Sequence, residues 1–221
     1  TDFEAVAGRT HPDDYAYFPF HTPFPGMVRK AALLAYRHIT RDTEIEEELA
    51  TEIGRQPREE AFDDFDAYMD AVREYTDALK GTERYADWYD RTIDPTLDIS
   101  RRVGNWYTGS VHIARASALR HAAREGEDAA GDRLLVASYG SGAQAEIHAE
   151  TVRENWREEI TALNVEEQLD ARYDISFQEY DQVHDRHNHD KSVELEPFTV
   201  PEGEFVFSGW GPMNERQYDF V

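Results

Sequence analysis

The 221 residues carry 46 acidic and 23 basic side chains, a formal net charge of −23, with 40% hydrophobic and 12% aromatic content and no cysteine. The apolar and aromatic share excludes a disordered acidic chain, and the charge makes nucleic acid and anionic membrane poor partners. Without cysteine there is no disulfide, thiolate nucleophile or Cys-based zinc site within this chain, and the length suits one domain with a sizeable core or two small ones.

In chain order, Asp2–Ala7 reads as a short helix or its end, stopped by Gly8, and His11–Asp14 as a turn. Tyr15–Phe20 reads as an aromatic-rich strand, with Pro19 at its end or on an edge. His21-Thr22-Pro23-Phe24-Pro25-Gly26 leads into an amphipathic helix whose apolar positions are Met27, Val28, Ala31, Leu34, Ala35 and Ile39. Residues 40–100 read as helical and structural: an acidic helix from Asp42 to Ile53, broken at Gln56-Pro57, comes first. A buried stripe of Phe62, Phe65, Met69, Val72, Thr76 and Leu79 follows, then a short helix around Tyr85, Trp88, Tyr89 and Ile93.

Val103-Gly104-Asn105-Trp106-Tyr107-Thr108-Gly109-Ser110 then opens a helix rich in small residues that runs to about Arg124. Leu134–Ser138 reads as a buried strand, and Tyr139-Gly140-Ser141-Gly142 as a tight turn. Ala143, Ala145, Ile147, Ala149 and Thr151 alternate with polar residues as a strand with one buried face. Glu154–Leu163 and Phe177–Asp185 read as helices, and Glu204–Phe207 as a last strand before an aromatic tail. No repeat of fixed period and no low-complexity segment occurs.

His21, Asn105 and Ser141 therefore sit on three turns, each at the end of a buried element, where α/β folds place their sites. A His and an Asn aimed at one carbonyl oxygen would polarise it and stabilise an oxyanion. The Asn105 amide can donate and accept at once, the helix N-terminus beside it favours negative charge, and backbone N–H groups around Gly140 can add donors. Taken singly, Asn105 also reads as a helix cap and His21 as a structural histidine.

Phe20-His21-Thr22-Pro23-Phe24, Gly104–Ser110 and Ser138-Tyr139-Gly140-Ser141-Gly142, in that order and with a helical insert between the first two, resemble motifs of the C-terminal half of 3-hydroxy-3-methylglutaryl-CoA synthase. The resemblance implies a thiolase-like α/β fold of layers α-β-α-β-α, with residues 1–221 supplying the C-terminal half and residues 40–100 the insert. It implies a Claisen-like condensation of acetyl-CoA with acetoacetyl-CoA, serving mevalonate and isoprenoid biosynthesis, with no cofactor beyond the CoA thioesters. The nucleophilic cysteine and general-base glutamate of that family belong to an N-terminal half, the expected partner of this chain, which alone should be inactive; the whole enzyme is expected to be a homodimer. His21 and Asn105 are the implied catalytic residues, Ser141, Gly140, Tyr139 and Lys30 the implied substrate-binding ones. Gly26 departs from the pattern, standing where relatives often carry a second lysine. A ketoacyl synthase III-like condensing enzyme and a non-catalytic acyl-CoA-binding or scaffolding subunit of the same fold are the alternatives.

A further expectation follows from the half-fold reading: Val111, Ala114 and Ala118 on the Asn105 helix should be exposed in this chain alone or covered by a second polypeptide. His184, His187 and His189 form a histidine-rich segment read as a solvated acidic loop rather than a metal site. Tyr139-Gly140-Ser141-Gly142 lacks the Gly-x-Ser-x-Gly pattern of a hydrolase elbow. Acids recur from Asp2 to Asp219 and lysine occurs only three times, at Lys30, Lys80 and Lys191. Charge repulsion of this size is relieved at molar salt, where the Debye length is ~3 Å, so the chain reads as a cytoplasmic protein of an organism that accumulates salt. No run approaches the ~18 apolar residues of a membrane span, no signal-peptide pattern opens the chain, and Thr1 at its start points to a processed product or a piece of something longer.

Overall fold

Residues 15–21 are extended and lie parallel to β1 (Arg133–Tyr139), with Tyr17 opposite Leu134 and Phe20 opposite Ala137. The N–H groups of Leu135 and Ala137 donate to the carbonyls of Tyr17 and Pro19, and His21 N–H donates to the Ala137 carbonyl. Pro19 has no N–H to return, so the pairing breaks into isolated bridges, and the segment forms an edge, where proline is tolerated. On the other side of β1, β2 (Ala145–Thr151) pairs antiparallel, from Arg133 opposite Thr151 to Tyr139 opposite Ala145. The computed structural model describes residues 10–140, 144–184, 203, 205–210 and 216–220. Asp2–Ala7 and Ser141–Ala143 lie outside the described residues, as do His187 and His189.

Alternate residues of β1 enter two different cores, which makes the architecture layered. Leu135 joins Tyr15, Phe18 and the helices α1 (Pro25–Thr40), α2 (Glu44–Ile53), α3 (Phe65–Leu79) and α4 (Glu83–Thr92). Leu134 and Val136 join α6 (Ser110–Glu125) and α7 (Trp156–Ala162) on the opposite face. Between α4 and α6 come a 3-10 turn, Asp94–Leu97, and the short α5 (Asp98–Val103). After α7 the short α8 (Val165–Asp170), which the sequence pattern did not mark, ends the first of two units, Thr1–Asp170. The second unit, Ala171–Val221, holds α9 (Phe177–His184) and a hairpin of β3 (Phe205–Trp210) and β4 (Arg216–Phe220), so the aromatic tail is itself a strand. Among the described residues no helix is long and apolar enough to cross a membrane.

The buried face of α1 is not the one its most apolar residues predict. Val28, Ala32, Tyr36, Ile39 and Thr40 are buried, while Met27 is 46% and Leu34 53% exposed. Tyr36 decides the rotation: its ring packs 4.7 Å from Trp88 and 5.4 Å from Tyr85, centroid to centroid. Such aromatic pairs are worth about 0.5–1.5 kcal/mol beyond the area they bury. In α3, Val72, Tyr75 and Leu79 are buried, but Phe65 is exposed and Phe62 precedes the helix, because Asp64 caps it by accepting from Ala67 N–H and starts it at Phe65. Glu46 of α2 is buried and accepts from Arg58 at 2.7 Å and from the Asp42 N–H at 2.6 Å. Loss of Arg58, itself only partly buried, would leave the Glu46 carboxylate buried without its counter-charge.

Val111, Ala114 and Ala118 overturn the expectation placed on them: they are buried by this chain itself. The small side chains let the 94–97 turn and α5 lie close against α6. Ser117 Oγ seals the approach by donating to the Pro95 carbonyl at 2.8 Å and accepting from the Ile99 N–H at 3.3 Å. The uncovered apolar surface lies elsewhere. On β2 the expected buried face is open, with Ala145, Ile147 and Ala149 exposed. The polar face carrying His148 and Glu150 turns toward α6, where Arg115 meets Glu150 at 3.0 Å.

Candidate active site

At the end of the extended segment, Thr22 Oγ1 donates to the Phe20 carbonyl at 2.8 Å, and Thr22 N–H donates to Ser110 Oγ at 3.0 Å. Ser110 is the first residue of α6, so this bond fastens the strand end to a helix N-terminus, where backbone N–H groups favour negative charge. The same Ser110 Oγ lies 2.8 Å from His21 Nδ1. Pro25 at the first position of α1 has the fixed φ a helix start needs, so the chain leaves His21 and turns at once into the helix. His21 is half-buried, and the Tyr139 ring, at the end of β1 and 57% exposed, lies 6.4 Å from the imidazole, centroid to centroid.

Asn105 is placed by backbone that few residues adopt. α5 ends at Gly104 with φ 76° and ψ −151°, a conformation for which glycine is the ready choice. Tyr107 follows at φ 49°, also left-handed, before the 3-10 turn Tyr107–Gly109 feeds α6. The Asn105 side chain is exposed, and its Oδ1 accepts from the Tyr107 N–H at 2.7 Å. One lone pair of its oxygen is therefore engaged in the turn, and its NH2 group remains available to donate to a ligand. Gly140 N–H donates to the Gln144 carbonyl at 2.8 Å, closing the β1–β2 turn. The structure thus brings His21, Tyr139 and Ser110 together. It places Asn105 on the loop entering the same helix, without a hydrogen bond to His21, and Ser141 lies outside the described residues.

Lys30 opens onto a second feature, a cavity of about 360 Å³ between α1 and the start of α4, lined by Gly26, Arg29, Lys80, Tyr85 and Tyr89 among others. Two of the three lysines in a chain of charge −23 meet here. Arg29 Nε donates to the Tyr89 hydroxyl at 3.3 Å, and burial holds the Tyr89 pKa above its ordinary value against the lowering pull of Arg29. A Cβ at Gly26 would meet the Phe24 ring at 3.1 Å, so a larger residue there requires that ring to move. Lys80 and Ser110 were missed as site residues by sequence reasoning. The lysine count was the signal for the first; Ser110 stood only as the last residue of the Gly104–Ser110 motif, and nothing in the sequence tied it to His21, 89 residues away. A larger cavity of about 820 Å³, lined by Arg115, Leu119, Trp156 and Ile160, touches none of these residues. Among the described residues no group of three or more His, Asp and Glu gathers around a point.

Residues 4–205 match the family model described as hydroxymethylglutaryl-coenzyme A synthase C terminal. The chain is 67% identical over 220 residues to the hydroxymethylglutaryl-CoA synthase of Haloferax volcanii, covering 100% of this chain and 49% of that protein. Its fold matches that of MvaS in complex with 3-hydroxy-3-methylglutaryl coenzyme A, with a TM-score of 0.64 and 24% identity over 99% of this chain and 46% of the other. It also matches PksG, an HMG-CoA synthase from Bacillus subtilis, with a TM-score of 0.66 and 19% identity over 100% of this chain and 47% of the other. The chain spans about half the length of the relatives it matches.

Proposed function

The chain belongs to the hydroxymethylglutaryl-coenzyme A synthase family, whose C-terminal model it matches and whose thiolase-like fold it shares, and we propose that it is the C-terminal half of an enzyme condensing acetyl-CoA with acetoacetyl-CoA. The observation that carries the reading is the seating of His21 on the first residue of α6, at 2.8 Å from Ser110, with the Asn105 loop entering the same helix. In the reaction, the methyl carbon of an enzyme-bound acetyl group, stripped of a proton, forms a bond to the ketone carbon of acetoacetyl-CoA. The ketone π bond breaks toward its oxygen, and the alkoxide takes up a proton to become a tertiary alcohol. Water then cleaves the acyl-enzyme thioester, releasing the new carboxylate and the thiol.

In this scheme His21 and Asn105 donate to the ketone oxygen as its charge grows. A fixed donor at that point acts where little solvent competes, and one such donor is worth roughly 3–4 kcal/mol. Tyr139, Gly140 and Ser141 border the acyl chain, and Arg29, Lys30 and Lys80 meet the CoA phosphates, Lys80 supplying a positive charge that Gly26 does not. The cysteine nucleophile and the base come from the N-terminal half, since this chain contains no cysteine. The whole enzyme works as a homodimer in the cytoplasm at high salt, feeds the mevalonate pathway, and needs no cofactor or metal.

The test is an assay of the whole enzyme with acetyl-CoA and acetoacetyl-CoA, reading free CoA and hydroxymethylglutaryl-CoA. Condensation that depends on both halves of the enzyme and on His21 supports the reading. Turnover by residues 1–221 alone, or full turnover by His21→Ala, sinks it.

A further inference from the structure

Ser110 is 1% exposed, and its hydroxyl does not do what a serine at a helix start ordinarily does. Ser, Thr, Asp and Asn near helix starts usually accept from the first free backbone N–H groups. Here the N-cap position is Gly109, and no side chain caps the helix. Ser110 Oγ instead lies between two groups of the strand end, the Thr22 N–H at 3.0 Å and His21 Nδ1 at 2.8 Å.

The direction of each bond follows from chemistry. A backbone N–H can only donate, so Ser110 Oγ accepts from Thr22. The hydroxyl carries one proton, and at 1% exposure no bulk water is there to receive it. A buried hydroxyl left without an acceptor bears the full cost of its lost solvation. Among the described residues, His21 Nδ1 is the acceptor within reach. A neutral imidazole that accepts at Nδ1 carries its proton on Nε2.

We propose that Ser110 is a positioning residue that fixes the tautomer of His21, donating to Nδ1 so that Nε2–H faces the substrate as a hydrogen-bond donor. The proposal rests on the reading of His21 as the group that polarises the ketone of the second substrate. The opposite tautomer would turn a nitrogen lone pair toward the ketone oxygen and oppose the charge that grows there. The Thr22 bond makes the arrangement stiff, because the same oxygen is held by the backbone next to the imidazole it orients. Asn105 is set in a comparable way: its oxygen accepts from the Tyr107 N–H, which fixes the orientation of the amide and leaves the NH2 group to donate.

The experiment uses the whole enzyme with 15N-labelled histidine, and the His21 signals are assigned by their loss in His21→Gln. In the wild-type protein at neutral pH, Nδ1 should resonate in the unprotonated, pyridine-type range and Nε2 in the protonated, pyrrole-type range. A pyrrole-type Nδ1 overturns the proposal, and this readout needs no variant of Ser110 to fold. Ser110→Ala should mix the two tautomers and slow condensation roughly 10- to 100-fold, the scale for one misaligned donor. Acetylation of the cysteine should keep its rate, and Ser110→Thr should restore both the signal and condensation. Equal loss of both half-reactions in Ser110→Ala marks a structural role and overturns the proposal, as does an unchanged tautomer. If the wild-type enzyme does not condense the two thioesters, the functional reading of His21 falls, and the tautomer measured in that same protein still decides the role of Ser110.

Discussion

The N–H of Tyr107 donates to Oδ1 of Asn105 at 2.7 Å, so one atom pair both builds the turn into α6 and fixes the orientation of the amide whose NH2 group is left to donate. Asn105→Asp separates these two roles. The aspartate keeps an oxygen for the Tyr107 N–H and so keeps the turn, but it replaces the donor NH2 by a second oxygen. Condensation should fall at least ~100-fold, the usual loss for one oxyanion donor, with thermal stability of the whole enzyme unchanged. Asn105→Asp retaining most of its activity would show that the residue is a turn former only.

His21→Ala separates the two substrates. With the imidazole gone, use of acetoacetyl-CoA should weaken by roughly 100-fold in kcat/KM, while transfer of acetyl from acetyl-CoA to the cysteine continues at close to its normal rate. Rapid-quench measurement of labelled acetyl-enzyme, alongside steady-state condensation, reads both. Loss of acetylation together with condensation would overturn this division of labour.

Lys80 tests the cavity beside α1. Reversal of its charge in Lys80→Glu should raise the KM for acetoacetyl-CoA about tenfold in dilute buffer and leave kcat unaltered. The effect should shrink in molar salt, where charges more than ~3 Å apart are screened. A KM indifferent to Lys80→Glu in dilute buffer would place the CoA phosphates elsewhere.

Where the sequence was legible, local chemistry decided the outcome; where it was not, a distant contact did. Pro19 and Pro25 mark the turns because their constraints act on their own backbone, so the ends of the extended segment and the start of α1 could be read directly, whereas the short α5 that ends at Gly104 was not read at all. The face of α1 could not, since Met27 and Leu34 rank above Tyr36 in apolarity and only the rings of Trp88 and Tyr85 draw Tyr36 inward. The small residues of α6 suggested an absent neighbour, whereas the close neighbour is Pro95, only 22 residues before Ser117. On β2 the alternation of apolar and polar residues was visible, but the Arg115–Glu150 contact that turns the polar face inward was not.

Alkaline pH should unfold the first unit through its buried tyrosines. Burial, with Glu46 adding to it, pushes Tyr75 up to about 12, and burial drives Tyr85 and Tyr17 higher still, Glu127 reinforcing the effect on Tyr17. A phenol whose pKa is raised in the folded state stabilises the fold fully below the unfolded value near 10, and that stability drains away as pH rises from there through the folded values. Tyrosinate absorbance should therefore show a delayed fraction that appears together with loss of helical circular dichroism. A single smooth titration near pH 10 with the helices intact would mean that these phenols are solvated.

The exposed face of α1 makes the last prediction. Phe24 just before the helix is 55% exposed, Met27 46% and Leu34 53%, and Met27 and Leu34 stand seven residues apart, two turns along one side. Ile147 on the open face of β2 is 42% exposed and Tyr139 at the strand end 57%. Large contiguous apolar patches are rare on free surfaces and mark contact sites, and α6 offers no such surface because its own chain covers Val111, Ala114 and Ala118. If the remaining half of the enzyme packs on this chain, it should cover the α1 face, and Met27 reports on it directly. In the whole enzyme, peroxide should oxidise Met27 slowly, at a rate comparable to that of the half-buried Met69 of α3. Peptide mass spectrometry over a time course reads both residues in one sample. Rapid oxidation of Met27 in the intact enzyme would show that the face is free and that the other half docks elsewhere.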